Sequence, residues 1–78
     1  MSIKVNGTEQ ELDGKLTVLD VVARTTDKEF NPDGTPADGS RPGIAAALNG
    51  AVIPRARWAE TDVADGAVID IVTAVQGG

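Results

Sequence analysis

Cysteine and histidine are both absent from this sequence. The first absence removes disulfides, thiolate metal sites, iron–sulfur clusters and a thiol nucleophile together. The second removes the imidazole base and the usual zinc or haem ligand. Basic residues are also few. Seven lysines and arginines face 12 acidic residues, for a net charge of −5. Phosphate backbones and anionic lipid both call for a basic surface, so neither nucleic acid nor membrane is the expected partner. No stretch approaches the length of a membrane span, and Met1-Ser2-Ile3-Lys4-Val5 lacks the apolar core of a signal peptide. A soluble, cytoplasmic protein is expected. Neither G-x-G-x-x-G nor G-x-x-x-x-G-K-[ST] occurs, so the chain carries no phosphate cradle of its own. No serine or threonine has a base placed to activate it. An enzyme is therefore not expected.

What is present reads as one domain, since two would each be too short to bury a core. "SIKVNGTEQEL" has Ile3 and Val5 alternating with polar residues, and Asn6-Gly7 suits a type I′ turn, with Leu12 closing the second arm. Thr17 is placed to cap a helix, with Asp20 three residues on, and Val18, Leu19, Val21 and Val22 give it an apolar face. Valine is a weak helix former, so this helix should depend on packing against a sheet. Residues 27–43, rich in proline, glycine and charge, read as a long, mobile surface loop in which Phe30 is the one anchor to the body. Ile44–Leu48, Asn49-Gly50 and Ala51–Ile53 form a second hairpin, which Pro54 ends. Arg55–Glu60 suits a single helical turn, with Trp58 as a lid on the core or as part of a docking face. Asp65-Gly66 turns the chain into its longest apolar strand, Ala67–Val75.

The expected architecture is an α+β roll: a ββαββ mixed sheet with one main helix packed across it. The last strand, nearly continuous in apolar residues, belongs in the middle beside and parallel to the first. Residues 1–75 then form the domain, and residues 76–78 a flexible Gly-Gly tail.

The acidic groups Glu9/Glu11, Asp27/Glu29, Asp33/Asp38 and Asp62/Asp65 read as solvated charge, and no metal site is expected. "NPDGTPADG" lacks the ligand register and closing glutamate of a calcium loop. Arg55 and Arg57 read as surface charge. The remaining group with usable chemistry is the α-carboxylate of Gly78. Without side chains on Gly77 and Gly78, an extended backbone can enter a narrow cleft and the carboxyl carbon is unhindered. Four extended residues reach about 13 Å. A terminal Gly-Gly is equally compatible with a frayed end.

The stretch "ALNGAVIPRARWAETDVADGAVIDIVTAVQGG", with "IKVNG" and "LTVLDVV" before it, resembles the small sulfur carriers of bacterial thiamin biosynthesis, the ThiS type. The matching elements are "ALNG", "VIPR" followed by Trp58, the "DG" turn and the terminal "GG". Only the segment from Asp27 to Gly43 falls outside, being longer than that family's usual connection. The resemblance implies a ubiquitin-like β-grasp fold and a mechanism. A ThiF-type adenylyltransferase would use ATP and magnesium to activate the Gly78 carboxylate. A persulfide donor would supply sulfur, leaving a thiocarboxylate for a ThiG-type thiazole synthase. Gly78 would carry the sulfur, Gly77 would allow access, and Val75 and Gln76 would contact the partner. The free carrier would be a monomer with no cofactor of its own. Three other roles fit the residues: a carrier for molybdopterin, cysteine or secondary-metabolite sulfur, a protein modifier joined through Gly78, or a passive module whose tail a receptor captures.

Overall fold

The computed structural model describes residues 2–39 and 43–74. Two Asn-Gly turns organise most of the sheet. Asn6 and Gly7 have φ of 51° and 83°, and Asn49 and Gly50 have 51° and 88°, as the type I′ geometry requires. The first joins β1 (Ser2–Val5) to β2 (Thr8–Glu11), and the second joins β4 (Gly43–Leu48) to β5 (Ala51–Ile53). Between the hairpins lie β3 (Leu16–Thr17) and the helix α1 (Val18–Thr26). After them come a 3₁₀ helix (Arg55–Glu60), β6 (Asp62–Val63) and β7 (Val68–Ala74).

The strand order is β2-β1-β7-β4-β5. β7 therefore sits in the centre, parallel to β1 through Lys4↔Val68 and Val5↔Ile69. On its other side it runs antiparallel to β4 along six residue pairs, from Gly43↔Ala74 to Leu48↔Ile69. This is the mixed roll with one main helix expected from the residues. Element ends shift slightly. Leu12 lies beyond β2 but still packs on the core, Gly43 already belongs to β4, and Ala67 is buried just ahead of β7.

Helix α1 starts where the side-chain chemistry predicts. The Asp20 amide donates to Thr17 Oγ1 at 3.3 Å and the Thr17 amide donates to Asp20 Oδ2 at 2.9 Å, a reciprocal capping box. Its buried face is Val18, Val21 and Val22, with Leu19 partly covered. These residues pack with Ile3, Val5, Ile44, Ala46, Ile69 and Ile71 in a single core. Trp58 closes that core at 1% exposure, and its Nε1 donates to the Ile53 carbonyl at 2.9 Å. The ring is a core lid, which settles its placement against a docking role.

A second, two-stranded sheet pairs β3 with β6 through Leu16↔Val63 and Thr17↔Asp62. Nothing in the residue pattern announces it, because a two-residue pairing is shorter than any periodicity. It has a clear effect, however. It brings the chain after the 3₁₀ helix back to the start of α1, where the Val18 amide donates to the Thr61 carbonyl at 2.9 Å.

Candidate functional site

The tail residues Gln76, Gly77 and Gly78, and Val75 before them, lie outside the described residues. What the structure defines is the base from which they continue. β7 delivers the chain toward them, and β7 is the one strand with neighbours on both sides that are themselves paired outward. Its inner residues Ile69 and Ile71 are buried at 0% and 6% exposure. The base is thus anchored by ladder hydrogen bonds and by the core together.

The opposite face of the same strand is different. Val68 and Val72 are 42% and 63% exposed, and Val52 on β5 is 74% exposed. The register places Val72 opposite Ala45, and Ala47 between Val52 and Asp70. The apolar run of β7 points to a central strand, which it is. Here the helix covers only one face, and the central position of the strand comes from pairing rather than from two-sided burial.

Past Ile71, β7 continues beyond the end of β1. A cleft of about 330 Å³ opens there, with Asn6, Thr26, Lys28, Ile71 and Thr73 among its lining residues. Asn6 reaches across this point, its Oδ1 accepting from the Ile71 amide at 2.7 Å.

Four of the acidic residues, Glu9, Asp33, Asp38 and Asp65, hold hydrogen bonds or an ion pair. The Ser2 amide donates to Asp65 Oδ1 at 2.7 Å, and Ser2 Oγ donates to Glu9 Oε1 at 3.0 Å. Lys28 Nζ lies 3.6 Å from Asp38 Oδ2. Asp33 accepts from the Thr35 hydroxyl and from the Thr35 amide, and these bonds hold its carboxyl below the ordinary carboxylate value. That turn gives the segment after α1 an internal order of its own. Phe30 and Pro36 form an isolated bridge, and the Asn31 amide donates to the Thr35 carbonyl at 2.7 Å. Phe30 then meets Trp58 edge-on, with ring centroids 6.3 Å apart. Gly34 approaches the 3₁₀ helix so closely that a Cβ would lie 2.6 Å from the Arg55 carbonyl oxygen, at a φ of +88° that already favours glycine. Arg55 itself lies over the Trp58 ring, 5.8 Å from its centroid. Phe30 is therefore the anchor foreseen in the sequence, and Gly34 is a second one that only the backbone approach reveals.

Comparison with known proteins agrees with this architecture. Residues 3–78 match the model of the ThiS family. A crystal structure of a thiamine biosynthesis protein (ThiS) from Geobacter metallireducens is 25% identical. The match covers 100% of both chains with a TM-score of 0.68. An NMR solution structure of a thiamine biosynthesis protein from the same organism is also 25% identical. That match covers 100% of this chain and 88% of the other, with a TM-score of 0.65. No curated protein matches. With the family model spanning nearly the whole sequence and a β-grasp roll in place beneath it, this chain belongs to the ThiS family, and that membership supports a sulfur-carrier role.

Proposed function

We propose that this chain carries sulfur on its Gly78 carboxylate, as a protein cosubstrate for thiazole formation in thiamin biosynthesis. The observation that carries the reading is the family match, which runs through residue 78 and so takes in the terminal Gly-Gly. A carboxylate is a poor electrophile, so a partner must first activate it. A ThiF-type adenylyltransferase, using ATP and magnesium, joins the Gly78 carboxylate to the α-phosphate and expels pyrophosphate. The terminal sulfur of a persulfide donor then attacks the carbonyl carbon and AMP leaves. Cleavage of the resulting S–S bond by a thiol frees the thiocarboxylate, which a ThiG-type thiazole synthase consumes.

The division of labour has a physical basis. Charge developing on the transferring phosphorus has to be stabilised in a preorganised site, and that site belongs to the partner. This chain contributes a substrate group on Gly78, with Gly77 giving access and Val75 and Gln76 making contacts by position. The central strand β7 supports the reading, because a tail continuing from a firmly paired strand needs less ordering when it enters a cleft.

Intact-mass measurement after incubation with a ThiF-type enzyme, ATP and a persulfide donor tests the proposal. A gain equal to exchange of one oxygen for sulfur is expected, and it should vanish on deletion of Gly78. Ladders of heavier conjugates would point instead to a protein modifier. An unchanged mass under conditions that load another carrier would refute both.

A further inference from the structure

The two Asn-Gly turns do more than reverse the chain. Both asparagines bind the backbone of the same strand from opposite sides, one at its start and the other as far as its midpoint. Asn49 donates its amide to the Val68 carbonyl at 2.7 Å, and its Oδ1 accepts from the Val68 amide at 2.9 Å. It thereby extends the β4 ladder by one pair, at the start of β7. Asn6 donates its amide to the Ile69 carbonyl at 2.9 Å, and its Oδ1 accepts from the Ile71 amide at 2.7 Å. The Asn6 side chain stands where a further β1 carbonyl would be if β1 did not turn away. In an antiparallel pair, bonded residues alternate, so the bonding of Val68 toward β4 turns the amides of Ile69 and Ile71 toward β1. Past Ile71, β1 supplies no partner, and the cleft lined by Asn6, Thr26, Lys28 and Thr73 begins.

We infer that Asn6 is a positioning residue for the sulfur-bearing terminus: its side-chain oxygen makes the last bond that β7 receives on its β1 side, at Ile71, beyond which β4 alone pairs the strand as far as Ala74. The inference rests on the carrier reading proposed above. Any part of the strand end left unanchored has to be ordered when a partner takes the tail, and that cost lowers affinity without touching the chemical step. Asn49, at the entry end, has the same turn geometry and likewise bonds β7 through its amide and its Oδ1, both to Val68, and it serves as an internal control.

The choice of substitution matters, because both residues have positive φ. Asn6→Gly keeps the turn accessible and deletes the side-chain acceptor, whereas Asn6→Asp keeps an acceptor in place. Two measurements are made on the full chain. The first is amide hydrogen exchange at Ile71 and Thr73 by NMR. The second is steady-state adenylation by a ThiF-type enzyme, with the carrier as varied substrate. Asn6→Gly is expected to accelerate exchange at Ile71 selectively. It should also raise KM for the carrier about fivefold, equivalent to ordering about one backbone residue, with kcat unchanged. Asn6→Asp should restore both, and Asn49→Gly should leave KM unchanged. Unaltered exchange at Ile71 in Asn6→Gly would overturn the anchoring. Accelerated exchange with unaltered KM, or an equal rise in KM for Asn49→Gly, would overturn the positioning role. A wild-type chain that the enzyme leaves unmodified would refute the carrier reading itself, and the exchange arm would then decide by itself whether Asn6 anchors the strand.

Discussion

The two faces of the central sheet are built from similar residues and live in different surroundings. Inward, Ile69 and Ile71 belong to the same buried core as Val18, Val22 and the Trp58 lid. Outward, Val68, Val72 and Val52 meet solvent. Alternation along one strand thus carries isoleucine to the core and valine to the surface, and burial follows the helix rather than the hydrophobicity of the run. An apolar strand in the middle of a sheet says only that it is well paired. Which of its faces is covered depends on where the single helix lands.

Substitutions across the two faces sharpen this difference. Trp58→Ala should have the largest effect, costing about 3–5 kcal/mol in chemical denaturation, because it unroofs the inner face and removes the indole bond to the Ile53 carbonyl. Ile69→Ala should cost about 3 kcal/mol by the same measurement, since its side chain is fully enclosed. Phe30→Ala removes a half-buried ring from the outside of the lid and should cost about 1 kcal/mol. Local exchange or proteolysis between residues 28 and 38 should register the loss before global unfolding does. Val72→Thr, on the outward face, should stay within about 0.5 kcal/mol of wild type. A penalty at Val72 matching that at Ile69 would break the comparison and show that the outer face is covered in solution.

Much of the fold is legible in short stretches of the sequence. The capping box needs only Thr17 and Asp20, because its partners are three residues apart. Each hairpin turn needs only Asn-Gly, because the required φ angles are local. Three other features were not legible. The pairing of Leu16–Thr17 with Asp62–Val63 joins segments far apart in sequence with no pattern of their own. Phe30 was legible as an anchor of the segment after α1, but its partner Trp58 and the approach of Gly34 to Arg55 were not, both lying across the fold. The side-chain bond from Asn6 to Ile71 spans almost the whole chain. For the candidate site, the sequence points to Gly78 by the chemistry it lacks elsewhere, and Val75 to Gly78 lie outside the described residues.

The sequence by itself determined the chemistry this chain has to work with and the local turns it makes. It holds no cysteine, no histidine and no nucleotide motif, and two Asn-Gly pairs and one capped helix follow from neighbouring residues. The residues already pointed to β7 as a central strand beside β1; tertiary structure decided that its other neighbour is β4, that one of its faces stays open, and that two turn asparagines bond its backbone at Val68 and Ile71. Those outcomes depend on contacts between residues distant along the chain, and such contacts exist only once the helix has packed and the sheet has closed around its last strand.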